Sequence, residues 1–137
     1  MRKFFKTLSL IILLCSACFI LGDSRISIEK MPPVVVKTFP QAGNANVDPS
    51  IREIRVTFSK EMMTRQQWSW VMVSKDSFPE ITGEYRFLKD KRTCVAQVKL
   101  KPGKTYAIWF NSGKWNYFKD KNQSPAIPYL LVFQTRK

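Results

Sequence analysis

Histidine is missing from this chain altogether, and with it go the commonest general base and the commonest neutral metal ligand. Cysteine is scarce. Cys15 and Cys18 lie in an apolar N-terminal run, so the rest of the chain holds one thiol, Cys94, and no internal disulfide. A nucleophilic Cys94 would have no imidazole to activate it. In TCVAQVKL it shares one alternating face with Ala96, Val98 and Leu100, the setting of a buried core thiol. Acidic residues are also few, 10 against 23 Lys and Arg. Glu53, Glu61, Asp76, Glu80, Glu84, Asp90 and Asp120 form no recognisable carboxylate pair for glycosidic chemistry. They border turns or exposed strand positions, where solvated carboxylates are expected. Asp48, Asp120 and Asn122 offer oxygen ligands, but no loop carries the spaced carboxylates of a calcium site. The expectation is therefore a protein that is not an enzyme and uses no metal or cofactor.

What is present begins with an address. Residues 1–6 carry Arg2, Lys3 and Lys6 and precede TLSLIILLCSACFILG, an uncharged apolar run. A basic start before a short apolar stretch is the layout of a secretory signal, here residues 1–22. The run falls short of the roughly 20 residues of a membrane span unless Phe4 and Phe5 extend it. CSAC resembles a bacterial lipobox, with Ser16 and Ala17 at the small positions and Cys18 as the residue that would be lipidated. Cys15 stands where Leu is usual, and cleavage after Gly22 or Ser24 is the competing reading. Residues 23–33 are polar, end in two prolines and read as a tether. The expected location is the periplasm or cell envelope, with a peripheral membrane anchor if Cys18 is modified.

Charge then narrows the partners. Without Arg2, Lys3 and Lys6 the 23 basic residues fall to 20 against 10 acidic ones, near +10. In a cytoplasmic protein such an excess would suggest nucleic acid. Export turns it toward envelope proteins and anionic envelope material, either lipid head groups or acidic polysaccharide, and away from nucleic acid. A solvated basic surface without a specific partner is the plainer alternative.

From residue 34 onward the chain is punctuated like an all-β domain, with no long amphipathic helix. PVVVKTF is a β-branched run, and PQAGNANVDPS is dense in turn formers. IREIRVTFS alternates with Ile54, Val56 and Phe58 on one face. KEMMTRQQ could form a helical turn. WSWVMVS places Trp68, Trp70 and Met72 on one strand face, expected to pack across the core. GEYRFLKD and TCVAQVKL suggest a hairpin around KDKR, and TYAIWF and YLLVFQT supply two further strands. About seven short strands at near-regular spacing predict an immunoglobulin-like β-sandwich over residues 34–137. LKPGKTY adds a local signal: Pro102 and Gly103 make a turn, and Tyr106 has the spacing of a tyrosine corner.

The aromatic stretch KTYAIWFNSGKWNYFKD splits under the same alternation. Tyr106, Ile108 and Phe110 turn inward, leaving Trp109, Trp115, Tyr117 and Phe118 to be placed. Trp109, Trp115 and Tyr117, with Lys114 and Lys119, are the candidate ligand-binding residues, since sandwich loops often carry function. Folding back of these aromatics over the sandwich end is the alternative.

Read together, KTFPQAGNANVDPSIREIRVTFSKEMM resembles the opening of the SbsA-type bacterial Ig-like domain. Pro40 and Gly43 precede a Val47 to Pro49 segment, and Ile54, Val56, Phe58, Ser59, Lys60 and Met62 follow the family's strand-exit pattern. LKPGKTYAIWFNS and FKDKNQSPAIPYLLVFQT resemble its later strands. One departure is Asp120-Lys121-Asn122-Gln123, where family members often have Gly; Asn122 is expected to take left-handed backbone angles there. The resemblance implies a non-catalytic module of bacterial surface and secreted proteins, and the reading is a structural, adhesive or protein-binding one. The aromatics and lysines named above supply the alternative, a carbohydrate- or polyanion-binding module.

Overall fold

The computed structural model describes residues 25–137. The signal segment and Cys18 lie outside the described residues. Eight strands follow in chain order: β1 Val35–Phe39, β2 Glu53–Phe58, β3 Trp70–Met72, β4 Glu80–Ile81, β5 Arg86–Phe87, β6 Thr93–Lys99, β7 Thr105–Phe110 and β8 Tyr129–Gln134. All pair antiparallel in two sheets. One sheet runs β1-β2-β6, with β4 and β5 both on the far side of β6. The other runs β3-β7-β8. This is the expected immunoglobulin-like sandwich with one strand more than anticipated. The addition, β4, is only two residues long, too short to show a periodicity.

The core follows from alternation. Ile54, Val56 and Phe58 of β2, Cys94, Ala96 and Val98 of β6, Tyr106, Ile108 and Phe110 of β7, and Leu131 and Phe133 of β8 are buried together. Most of their neighbours within the strands are partly or fully exposed, as the alternation of a pleated strand requires, although Val95 of β6 is buried as well. Complete burial of a side chain such as Phe58 is worth about 1.5–3 kcal/mol. Burial also pushes the Cys94 thiol up to about 12, which makes it an inert core group. After β1 the chain crosses to the other sheet, where Val47 bridges Thr135 in parallel.

The tyrosine corner forms at the β6–β7 turn. The Lys101 N–H donates to the Tyr106 hydroxyl at 2.8 Å, and the Tyr106 ring stacks on Phe133 at 5.4 Å between centroids. Gly103 holds a φ of +64° in the exposed turn, a conformation that favours glycine. Thr135 braces the same corner, donating to the Lys101 carbonyl and accepting from the Lys104 N–H.

Two local expectations fail. KEMMTRQQ is not helical: Met62 bridges Asp120 instead, and Gln66 takes a positive φ. WSWVMVS is a strand only over Trp70–Met72, and Met72 is exposed. β3 is an edge strand, so its third residue has no neighbour to cover it.

Candidate functional site

The connection between β7 and β8 is organised by Asn111. Its side chain is fully buried at a φ of +60°, an angle Asn tolerates better than most residues. Nδ2 donates to the Phe118 and Ala126 carbonyls, each at 3.0 Å, and Oδ1 accepts from the Phe118 N–H at 3.0 Å. Those bonds drive Phe118 into the core, where its ring meets Phe58 at 4.8 Å and Phe110 at 6.3 Å. With Phe118 pinned inward, the residues just before it project the other way. Ser69 fixes them in turn, its Oγ accepting from the Tyr117 N–H at 2.9 Å.

Trp115 and Tyr117 emerge 48% and 46% exposed, with ring centroids 6.4 Å apart. With Trp68, Ser69, Trp70, Val71 and Met72 they line a shallow groove of about 430 Å³. Trp68 and Trp70 are held from behind by Tyr85, at 5.8 and 5.3 Å, and Trp70 meets Phe110 edge-on at 4.8 Å. They therefore pack against the core, as alternation predicts, but are only half-buried and also form the groove wall. The Trp70 indole N–H is buried with no oxygen partner and faces the weakly accepting sulfur of Cys94.

The other expected binding residues scatter. Lys114 reaches the groove rim, its ammonium 5.5 Å from the Trp115 ring centre, within cation–π range. Trp109 lies half-buried on the outer face of its sheet, between Val71 of β3 and Leu130 of β8, and does not line the groove. Lys119 is half-buried further along, where its carbonyl accepts from the Met63 N–H and its backbone bridges Pro125. So Trp115, Tyr117 and Lys114 come together, joined by the two tryptophans expected to be core, while Trp109 and Lys119 stand apart.

Asp120 departs furthest from expectation, being buried and not solvated. Its Oδ2 meets Lys60 Nζ at 2.7 Å, and Oδ1 accepts from the Asn122 and Ser124 N–H groups at 2.9 and 3.0 Å. Burial alone would raise the carboxyl, but Lys60 and those two amides outweigh it and hold it below the usual aspartate value. The left-handed residue of this turn is Gln123, at φ +66°, and not Asn122. Asn122 needs its N–H turned toward the carboxylate instead. Lys60 also donates to the Glu29 carbonyl at 3.1 Å, so the pair ties residues 25–33 to the sandwich. A cleft of about 400 Å³ lies beside it, but both buried charges already serve each other. Asp48 is likewise engaged, by Arg136 at 2.9 Å and the Ser50 N–H at 2.8 Å. Among the described residues, no three His, Cys, Asp or Glu side chains gather where a metal could sit.

These details account for the strand-exit pattern FSKEM. Phe58 and Met62 fill the core, Ser59 accepts from the Val34 N–H through its Oγ, and Lys60 neutralises the aspartate of FKDKN. A family profile for bacterial Ig-like domains matches residues 29–135. The chain belongs to the bacterial Ig-like domain family. Among solved structures, this Ig-like domain is similar to surface layer protein SbsC, domains 1–6, at 16% identity and a TM-score of 0.50, over 80% of this chain and 14% of that one. It is also similar to the S-layer protein rSbsC, at 16% identity and a TM-score of 0.49, over 78% of this chain and 14% of that one. The chain thus spans about one-seventh of those proteins, and at this identity the likeness concerns the fold. A search of curated proteins returns no match.

Proposed function

We propose that this Ig-like domain is a non-catalytic module of the bacterial cell envelope that docks glycan through its aromatic groove. Membership of the bacterial Ig-like family, together with surface-layer proteins among the structural relatives, supports the envelope setting. The single observation that carries the binding role is the pair Trp115 and Tyr117, left about half exposed on a groove walled by Trp68 and Trp70. Large aromatics are normally the residues a fold covers first, so a cluster left open over a concave surface favours a ligand. Flat ring faces with polar edges suit pyranose rings, whose axial C–H groups stack on indole and phenol. Loops on a rigid sandwich are where such sites are commonly built. Export and lipid anchoring at Cys18 would bring the groove to the envelope surface.

The test is calorimetric titration of the full chain with soluble cell-wall glycan fragments. Trp115→Ala/Tyr117→Ala is expected to abolish the heat of binding while shifting the melting temperature by no more than about 5 °C. Equal binding by the variant would remove the groove from consideration and leave a structural or protein-binding role.

A further inference from the structure

We infer that the aromatic groove continues into a lysine-lined pocket, and that the two form one track for an acidic polysaccharide. The inference rests on the glycan reading above and adds to it the charge of the ligand and a second subsite. Met72, 52% exposed, borders both cavities. On its far side lies a pocket of about 300 Å³, floored by Phe78, Pro79 and Tyr106 and rimmed by Lys75, Lys99, Lys101 and Lys104. Glu80 is the single acidic residue lining it. Although Glu80 lies opposite Lys99 in the strand register, no ion pair joins them.

The contrast with other lysines is what points to a ligand. Lys60 and Lys121 are each satisfied by a carboxylate, at 2.7 and 2.6 Å. Among the described residues, none of the lysines on the pocket rim has such a partner. The Lys104 ammonium rests over the Tyr106 ring at 5.3 Å, and both residues line the pocket. Like charges crowded around a concave surface raise its potential and favour an anion, and ammonium-to-carboxylate or -phosphate bonds are among the stronger hydrogen bonds available.

One chain-like ligand satisfies both ends. Its sugar rings stack at Trp115 and Tyr117, and its acidic groups reach the lysines beyond Met72. β3 is an edge strand, so no neighbouring strand covers the route between the cavities. A neutral glycan would leave the lysines without a counter-charge. A lipid surface would meet a concave track it could not fill.

The experiment measures affinity of the full chain for polygalacturonate, dextran and oligothymidylate at about 0.1 M salt, where charges separated by more than about 10 Å are screened. Polygalacturonate is expected to bind at least about tenfold more tightly than dextran, the effect of roughly one charge-assisted contact. Lys99→Gln/Lys101→Gln, both at exposed positions, is expected to remove that advantage and leave dextran binding unchanged. Trp115→Ala/Tyr117→Ala is expected to weaken both glycans. If the lysine variant binds polygalacturonate like the parent chain while the aromatic variant does not, the track is wrong and the groove stands. If the aromatic variant binds both glycans normally, the groove reading fails with it. Tighter binding of oligothymidylate than of polygalacturonate would overturn the inference in favour of a single-stranded nucleic acid surface.

Discussion

Within the β7–β8 connection, residues 111–128, two neighbouring groups of side chains follow opposite rules. Asn111, Phe118 and Asp120 are buried, and their polar atoms are met by named partners. Trp115 and Tyr117, only a few residues away, have large apolar surfaces left in solvent. Inside, polarity is tolerated because each group has a partner. Outside, exposed aromatic surface persists because the inner anchors hold it there. The difference separates two roles: the first set should govern folding, and the second should be nearly silent in folding yet decisive for the glycan binding proposed above.

The comparison breaks most sharply at the buried ion pair. Lys60→Met strands the Asp120 carboxylate in the interior and is expected to cost about 3–5 kcal/mol in denaturant unfolding. Lys60→Met/Asp120→Asn should recover much of that loss, because Asn keeps an acceptor for the Asn122 and Ser124 N–H groups without the charge. A double variant as unstable as the single one would mean that the ion pair itself, and not the stranded charge, carries the stability.

Next comes Asn111→Ala, which leaves the Phe118 N–H and the Ala126 carbonyl without partners, while the Phe118 carbonyl keeps the Ala126 N–H, and places Ala at a positive φ. A loss of about 2–4 kcal/mol is expected from the unsatisfied groups, with the fluorescence of Trp115 shifting as the loop loosens. Tyr106→Phe removes only the bond from the Lys101 N–H and should cost about 1–2 kcal/mol. Its melting curve should stay cooperative.

Acid sharpens the same contrast. The Asp120 carboxyl sits below its ordinary value of 3.8 in the folded state. Its contribution is therefore fully present above the unfolded value and is lost as pH falls through the lower folded one. Asp90 is also lowered: burial would raise it, but the Thr93 hydroxyl and the Arg92 and Thr93 N–H groups prevail. Unfolding free energy should hold from neutral pH to about 4 and decline below that, more shallowly in Lys60→Met/Asp120→Asn. The smallest stability effect is expected for Trp115→Ala/Tyr117→Ala, within about 0.5 kcal/mol per site as for other surface changes. A loss of several kcal/mol there would mean that the groove aromatics are core by another name.

Much of the sandwich was legible residue by residue. The alternation of IREIRVTF and TYAIWF names the inward faces, and LKPGKTY names the tyrosine corner, because both are local patterns with one physical solution. The aromatic site was legible in part. Trp115, Tyr117 and Lys114 stand out as aromatics and a lysine in a loop, but Trp68 and Trp70 read as core because strand period cannot tell a covered face from an uncovered edge. Asp120 read as a turn carboxylate since its partner, Lys60, lies far away in sequence. Asn111 followed a strand in FNSG, where left-handed tolerance was a usable signal, but its three bonds reach to Phe118 and Ala126.

By itself the sequence determined the strand periods, the turns, the lack of imidazole chemistry and the basic excess, all properties of near neighbours along the chain or of composition. Only the tertiary structure decided which aromatics stay exposed, which carboxylate is buried against a lysine, and which lysines gather beyond Met72. Those outcomes depend on contacts between distant segments and on which strand ends at a sheet edge, and neither is written in local spacing.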